Sequence, residues 1–154
     1  MSVSYEAIYN ALIPILSDVL TDDLSTIPDS LGDPLPSVIR SRQDGPKPDL
    51  PYLTVDITST VQPSGPIKEH YINADGNPTY EFLHEILITY ECCGLDSQVI
   101  LSKLRSYLKT STIRDRIRAE VDMASVQVGA VTEQPELLTT AYEESHGMLA
   151  TYYH

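Results

Sequence analysis

The chain has 154 residues, of which 42% are hydrophobic and 21% are charged, and its formal net charge at pH 7 is −12. This length and composition indicate one globular domain with a sizeable core, because a chain split in two would leave cores too small to be stable. The acidic excess argues against tight binding of nucleic acid or of an anionic membrane surface, since both depend on Lys and Arg contacts to phosphate groups.

The N-terminal segment is predicted to form an amphipathic helix over residues 4–21. Its apolar residues recur at helical spacing, and Ser4 can cap the first turn. Pro14 lies within this pattern and is expected to kink or divide the helix, because proline has no N–H group and crowds the preceding turn. Residues 22–37 contain four Asp, three Pro and one Gly, which predicts a stiff polar connection.

The region after this connection is predicted to contain strands. Strand character begins over residues 38–42, stops at the Gly/Pro-rich segment 45–51, and resumes over residues 52–61. Polar and apolar residues alternate in the second strand, which gives it one solvent-exposed face and one buried face. Tyr52 is predicted on the solvent-exposed face.

A long hairpin is predicted next. The dipeptide Asp75-Gly76 is a strong signal for a tight turn, and it separates residues 67–73 from residues 78–92. Counting outward from that turn places His70 opposite Glu81. One face of the long second arm comprises Phe82, His84, Ile86, Ile88, Tyr90 and Cys92.

Two helices and two strands complete the chain. Asp96 can cap a helix over residues 97–109, and a shorter helix is predicted over residues 112–120. Strands are predicted over residues 123–131 and 141–153. The apolar stripe of the first helix comprises Ile100, Leu101, Leu104, Tyr107 and Leu108. One face of the first strand comprises Ala124, Val126, Val128 and Ala130, and one face of the last comprises Tyr142, His146, Met148 and Tyr152.

The order of these elements predicts an α+β fold. Strands joined by short connections pair antiparallel, and helices grouped apart from them cover one face of the sheet. We therefore expect a single domain over residues 1–154, with a mixed, mainly antiparallel sheet, a long hairpin and helices packed on one face. Its parts are an N-terminal helix (1–21), strands and hairpin (38–93), helices (95–120) and C-terminal strands (123–153).

The patterns of common catalytic and metal sites are absent from the sequence. There is no G-x-S-x-G elbow, no glycine-rich phosphate loop and no H-E-x-x-H, and the four histidines form no i, i+4 pair. A calcium loop centred on Gly76 fails because Tyr71 and Phe82 occupy its first and last ligand positions. Glu143 and Glu144 are neighbours in a strand and diverge, so they form no carboxylate pair. We predict no catalytic residue, metal or cofactor.

The two cysteines, Cys92 and Cys93, are adjacent. A bond between neighbours needs a strained ring and closes no chain loop, so we expect reduced, buried thiols that pack in the core. Reduced thiols fit synthesis in a cytosol. The N-terminus has no basic region followed by an apolar core, and no apolar window approaches about 18 residues. We expect a soluble protein that carries no conventional export signal.

The arginines of the predicted helix over residues 112–120 form the most distinctive charge pattern. Arg114, Arg116 and Arg118 lie at i, i+2 and i+4, so Arg114 and Arg118 share a helical face and Arg116 does not. Such a positive patch on an acidic protein can pair with an acidic surface of an adjacent copy, or with carboxylates of the same chain. The sequence leaves both pairings open.

Three segments carry a resemblance to a known family. Residues 39–46 and 51–55 (IRSRQDGP and PYLTV) follow a pattern of arginine, Gln-x-Gly/Pro and Pro-Tyr entry into a strand. Residues 88–94 (ITYECCG) end a strand before a helix, and residues 142–144 (YEE) open the last strand. Together with the predicted helices that follow residue 94, through residue 118, these segments resemble those of the phage neck terminator, or tail-terminator-like, proteins. It departs from them at Tyr142, where Trp is frequent, and at Ser145, where Arg is frequent.

The resemblance implies a structural virion protein made in the host cytoplasm. Its subunits would form a closed ring, often a hexamer, at the head-proximal end of the tail. The ring would stop growth of the tail tube, join the tail to the neck, and let DNA pass transiently through its lumen. Its partners would be further copies, the tail-tube protein, neck or connector proteins, and the sheath if the tail is contractile. It would need no cofactor and no membrane.

Candidate interface residues come from the resemblance, the hairpin turn and the arginine pattern. They are Arg40, Arg42, Gln43, Tyr52, Asp75, Gly76, Arg114, Arg118, Tyr142 and Glu144. Two alternatives stay open on the sequence alone. One is another neck, tail-tube or head-completion ring protein, and the other is a small α+β hydrolase or ligand-binding domain that uses Cys92 or a histidine.

Overall fold

The computed structural model describes residues 4–28, 31–40, 48–61, 68–70, 79–81, 84–133, 136–137, 142–143 and 145–154. Its helices are α1 (Tyr5–Val19), α2 (Ser97–Leu108) and α3 (Ser111–Val121). The strands of the main sheet are β3 (Val38–Arg40), β4 (Tyr52–Val61), β7 (Glu85–Cys93), β8 (Ala124–Val128), β9 (Thr132–Glu133) and β12 (Ser145–Tyr153). Short strands outside it are β1 (Thr26–Pro28), β2 (Pro34–Pro36), β5 (Lys68–His70), β6 (Thr79–Glu81), β10 (Glu136–Leu137) and β11 (Tyr142–Glu143).

The main sheet is mixed and mostly antiparallel, as predicted. Its order is β3-β4-β7-β12-β8, and β9 also pairs with β12. Only the pairing of β3 with β4 is parallel within the described sheet. The long strands β4, β7 and β12 form its centre, which leaves β3 and β8 at the two edges.

One face of the sheet and all three helices build the core. In register across the sheet, Val55 lies opposite Tyr90, which lies opposite Met148, and all three are buried. The helices contribute their apolar stripes to the same cluster, including Leu12, Leu101 and Ile117. Burying a Leu or Ile side chain stabilises a fold by roughly 1.5–3 kcal/mol, so this face provides most of the driving force for folding. The α+β prediction, with helices on one face, is confirmed.

The predicted N-terminal helix is confirmed, although Pro14 does not divide it. The hydroxyl of Ser4 accepts a hydrogen bond from the backbone N–H of Ala7 at 3.1 Å, which is the expected cap. Helix α1 runs unbroken through Pro14, whose side chain is exposed. Leu12 and Ile15, on either side of it, are fully buried, so packing holds both halves of the helix on the sheet.

The connection predicted over residues 22–37 contains a small antiparallel pair, β1 with β2. The hydroxyls of Ser25 and Ser37 lie 2.7 Å apart, and the N–H of Ser37 donates to the carbonyl of Ser25 at 2.8 Å. The N–H of Leu53 donates to the carbonyl of Ser37 at 2.9 Å. These bonds fasten the pair to the start of β4.

The hairpin arms pair as predicted, but in a different register. Strands β5 and β6 are antiparallel, and His70 lies opposite Thr79 instead of Glu81. The single long second arm is also wrong, because β6 pairs with β5 whereas β7 pairs with β4 and β12. The turn residues Asp75 and Gly76 lie outside the described residues.

Two side chains lie in environments opposite to their prediction. The alternation in β4 predicts that Tyr52 is exposed to solvent, but its side chain is buried, with only 7% exposed. It lies in register with Cys93, which pairs in turn with Ser145, and all three are buried. This end of the sheet is therefore covered on both faces. The helical spacing predicts Tyr107 in the apolar stripe of α2, but it is 43% exposed.

The cap of α2 and the strand β8 also differ from their predictions. Asp96 occupies the N-cap position, but its side chain makes no capping hydrogen bond, and its φ of 63° is left-handed. In β8 the pairing with β12 shifts register between Thr151 and Tyr152. Such a bulge inserts a residue and reverses the alternation. Ala124 is consequently exposed while Val128 is buried, although simple alternation predicts one face for both.

The last strand is shorter than predicted. Residues 142–143 form β11, which pairs with β10, and β12 begins at Ser145. Within β12 the predicted face is confirmed, since His146, Met148 and Tyr152 are all buried.

Candidate functional site

A basic cleft lies where α2 and α3 meet the edge strand β8. One lobe, of about 400 Å³, is lined by Arg105, Lys109, Arg114, Ser125, Gln127 and Val128. An adjoining lobe, of about 230 Å³, is lined by Ser111, Arg114, Asp115, Arg118, Met123, Ala124 and Ser125. Arg114 and Ser125 belong to both lobes. We call the surface formed by Arg105, Lys109, Arg114 and Arg118 the basic cleft; it holds four of the ten basic residues of the chain.

The local sequence explains how α3 presents two of these arginines. Ile113 and Ile117 are buried and fix the inward face of the helix. Arg114 and Arg118 each follow one of them, so both side chains lie on an adjacent, exposed stripe. The sequence prediction that they share a face is confirmed by this placement.

Arg105 shapes the cleft from the side of α2. Its Nε donates to the carbonyl of Gly129 at 2.8 Å, just beyond β8. This bond holds the guanidinium over the end of the edge strand. Arg105 is partly buried, whereas Lys109 and Arg114 are exposed.

The three arginines of α3 divide between the two pairings that the sequence left open. Arg116 donates to Asp18 of α1 at 2.7 Å and contacts Glu120 at 3.5 Å. The hydrogen bond to Asp18 raises the pKa of Arg116 above its ordinary value. Among the described residues, Arg114 and Arg118 form no ion pair. Arg116 is therefore a contact within the subunit, and the other two are directed to solvent.

Arg40 at the opposite edge of the sheet is also paired within the subunit. Its guanidinium contacts both carboxylate oxygens of Glu6 at 2.8 Å and lies 4.5 Å from the ring centre of Tyr9. The hydrogen bond from Arg40 lowers the pKa of Glu6, and the same bond raises the pKa of Arg40. This contact joins β3 to α1 beside a cleft of about 430 Å³ that Ile13, Ile27 and Ile39 also line.

The remaining predicted interface residues stay predictions. Arg42, Gln43, Asp75, Gly76 and Glu144 lie outside the described residues. Tyr142 lies in β11, next to the start of β12. The burial of Tyr52 indicates a packing role within the subunit. The structure does not bring the described candidates together, because Arg40 lies at one sheet edge and the basic cleft at the other.

A buried polar cluster lies below the N-terminus of α2. The hydroxyl of Ser97 lies 2.6 Å from Nδ1 of His146, and the hydroxyl of Ser145 donates to Glu91 at 2.9 Å. No sequence signal points to the Ser97–His146 contact, because the two residues are far apart in the chain and match no motif. A serine beside a histidine can serve as a nucleophile and base. Ser97 is fully buried, however, so this pair ties α2 to β12.

The placement of the two cysteines agrees with the sequence interpretation. Cys92 and Cys93 are reduced and both are buried, which confirms their packing role. Among the residues that the structure describes, no three His, Cys, Asp or Glu side chains are grouped to hold a metal ion. None of the described helices has the length and apolar character needed to span a membrane.

Comparison with known proteins decides the family. Residues 6–154 match the family described as phage neck terminator protein. The chain belongs to this family. The match includes α1, which the resemblance of the three sequence segments does not cover. No curated protein matched the chain. The family is structural, so the chain is a component of the phage virion that associates with tail and head components.

Proposed function

We propose that this protein forms a closed ring at the head-proximal end of the tail. The ring ends growth of the tail tube and joins the tail to the neck, and DNA passes through its lumen. The chain acts in this role as one domain, because buried residues from Ile8 to Tyr152 belong to a single core cluster. Following the resemblance to related rings, we propose six copies.

The basic cleft is the observation that carries this proposal. A ring built from identical subunits needs two different, complementary patches on each subunit. Arg114 and Arg118 are exposed and form no ion pair among the described residues, on a chain with a net charge of −12. A solvent-directed positive cleft on such a chain is suited to bind an acidic surface of a neighbour.

The proposed partners are further copies of the chain, the tail-tube protein and the neck or connector proteins, with the sheath added if the tail is contractile. DNA is a transient passenger, since a chain with a net charge of −12 repels phosphate on average. We propose no catalytic activity and no cofactor. Burial of the Ser97–His146 pair and of both cysteines supports this proposal.

Disrupting the gene in the phage tests the proposed role. Electron microscopy of the lysate is expected to reveal heads without attached tails, together with tails of uncontrolled length. Tails of normal length that lack heads would contradict termination and indicate a connector role instead. Light scattering and negative-stain images of the purified protein, alone and with tail-tube protein, test the ring. A subunit that stays monomeric in both conditions would contradict it.

A further inference from the structure

The N-terminal end of α2 carries an exposed apolar pair. Leu95 is 77% exposed and Val99 is 66% exposed, and they lie four residues apart at the start of the helix. Large apolar side chains grouped on a surface mark places where another molecule binds. The fold itself does not require Leu95 and Val99 to be apolar, because α2 already buries Leu101 and Leu104 against the sheet.

The chain segment before β4 extends this apolar pair. The backbone of Gly94 packs so closely on Pro51 that a Cβ on Gly94 would lie 2.9 Å from Cα of Pro51. This contact places Leu50, which is 48% exposed, next to the Leu95 end of α2. Asp49 and Asp96 are exposed beside these leucines. We call the surface formed by Asp49, Leu50, Leu95, Asp96 and Val99 the acidic–apolar surface.

The two ends of α2 thus have complementary character. The acidic–apolar surface lies at the N-terminal end, and Arg105 and Lys109 of the basic cleft lie at the C-terminal end. A helix of 12 residues is about 18 Å long. One subunit can therefore offer both surfaces to two different neighbours at the same time.

We propose that subunits associate head to tail, with the basic cleft of one copy against the acidic–apolar surface of the next. This contact rests on the proposed ring function and specifies its interface. Two copies of an acidic chain repel each other on average, so a stable contact has to place the basic residues of one against carboxylates of the other. The exposed leucines and Val99 add apolar burial that charge alone would not supply.

A second copy fits the cleft better than DNA does. Asp115 lines the lobe that Arg114 and Arg118 share, and its carboxylate opposes the approach of a phosphate backbone. A protein surface can place an apolar or hydrogen-bonding group beside Asp115 and its carboxylates beside the arginines. Binding of duplex DNA is therefore the competing outcome of the test.

Two charge-reversed variants test the contact. Arg114→Glu/Arg118→Glu makes the cleft acidic. Asp49→Lys/Asp96→Asn/Gln98→Lys makes the other surface basic. Gln98 is an exposed neighbour of Val99 in this surface, and asparagine is used at Asp96 because its left-handed backbone disfavours lysine. Each variant alone is expected to self-associate at least about tenfold more weakly than the wild type, because like charges then face each other. Mixing the two restores opposite charges across the contact, and assembly should return in light scattering and negative stain.

Matched controls carry the same change in net charge at sites outside both surfaces. Lys103→Glu/Arg116→Glu is matched to the cleft variant in net charge. It also breaks the surface ion pairs of Lys103 with Asp23 and of Arg116 with Asp18, which contribute little to stability, so it is compared under conditions where it is folded. Asp22→Lys/Glu133→Lys is matched to the other variant. Both controls should assemble like the wild type, and circular dichroism should confirm that every variant folds. Assembly of the charge-reversed variants alone, or failure of their mixture to assemble while each is folded, would overturn the proposal.

The outcomes separate this contact from the proposed function. A wild-type ring that survives both charge reversals leaves the ring standing and removes this interface. A wild type that never assembles, even with tail-tube protein, overturns the ring and the interface together. The anisotropy of a labelled DNA duplex mixed with the protein reports binding of DNA. If this anisotropy is lower with Arg114→Glu/Arg118→Glu than with the wild type, while assembly is unchanged, the cleft binds nucleic acid and the proposal is wrong.

Discussion

Polar groups in the interior below α2 have partners within the subunit, whereas the arginines of α3 in the basic cleft are exposed to solvent. In the interior, Ser97 contacts His146 and the hydroxyl of Tyr90 contacts that of Tyr152 at 2.9 Å, so the polar atoms satisfy one another within the subunit. In the cleft, Arg114 and Arg118 are exposed and form no ion pair among the described residues. Polar groups that a subunit satisfies itself stabilise its fold, whereas charged groups left to solvent are available to a partner.

This contrast predicts the largest stability loss for the interior tyrosines. Tyr152→Ala removes a fully buried ring and leaves the hydroxyl of Tyr90 without this partner, so the free energy of unfolding should fall by about 3–5 kcal/mol. Urea unfolding followed by circular dichroism measures it. Tyr153→Ala is the matched control, since Tyr153 is only partly buried in the same strand, and it should cost clearly less. Equal losses would show that the buried pair has no special role.

The Ser97–His146 contact should have the next largest effect. Ser97→Ala removes a buried hydrogen-bonding partner of His146, which should lower the free energy of unfolding by about 1–3 kcal/mol. Ser102→Ala, at an exposed position of the same helix, is the control and should change little. Assembly of Ser97→Ala should match the wild type under conditions where it is folded. A folded variant that loses assembly would show that this pair takes part in assembly as well as in folding.

Alkaline pH should weaken the interior. Burial raises the pKa of Tyr152 to about 12 and raises the pKa of Tyr90 well above its ordinary value of 10. The folded state therefore holds these protons more tightly than the unfolded state. Their contribution is fully present below about pH 10. That of Tyr152 is lost as the pH rises toward about 12, at roughly 1.4 kcal/mol per pH unit, and that of Tyr90 is lost in the same direction.

Unfolding titrations between pH 9 and 12, followed by circular dichroism and tyrosinate absorbance, test this loss. The double variant Tyr90→Phe/Tyr152→Phe should lose less stability over the same range, because it has no buried phenol to ionise. If the wild type and the double variant depend on pH equally, the buried pair does not govern the alkaline transition.

The smallest stability effect is expected in the cleft. Arg114→Glu/Arg118→Glu changes exposed side chains with no ion pair among the described residues, so the free energy of unfolding should change by no more than about 0.5 kcal/mol. The same urea experiment measures it. A loss as large as that of Ser97→Ala would mean that these arginines support the fold, and the contrast between the two regions would disappear.

Much of the fold follows from local patterns in the sequence. The alternation in residues 52–61 predicts the bounds of β4, and the buried face of β7 is the predicted face that carries Ile88 and Tyr90. Periodicity does not predict the pair β1–β2, because that pair depends on the contact of Ser25 with Ser37. Nor does it predict the bulge in β8, because the partner strand β12 sets the register there.

The candidate site can be predicted only in part. The i, i+4 spacing is enough to place Arg114 and Arg118 on one face of a helix. It cannot bring Arg105 and Lys109 to the same cleft, because that depends on how α2, α3 and β8 pack. The pairing of Arg116 with Asp18, and of Arg40 with Glu6, likewise requires contacts between elements distant in sequence.

Complementation of a phage that lacks this gene tests the role of the basic cleft most directly. The wild type, Arg114→Glu/Arg118→Glu and the charge-matched Lys103→Glu/Arg116→Glu would be supplied in the host, with infectious particles counted and tails measured by electron microscopy. We predict that the wild type and the control restore infectious particles with tails of uniform length. The folded cleft variant should restore neither. Full rescue by that variant would contradict the assignment of the basic cleft as the assembly surface.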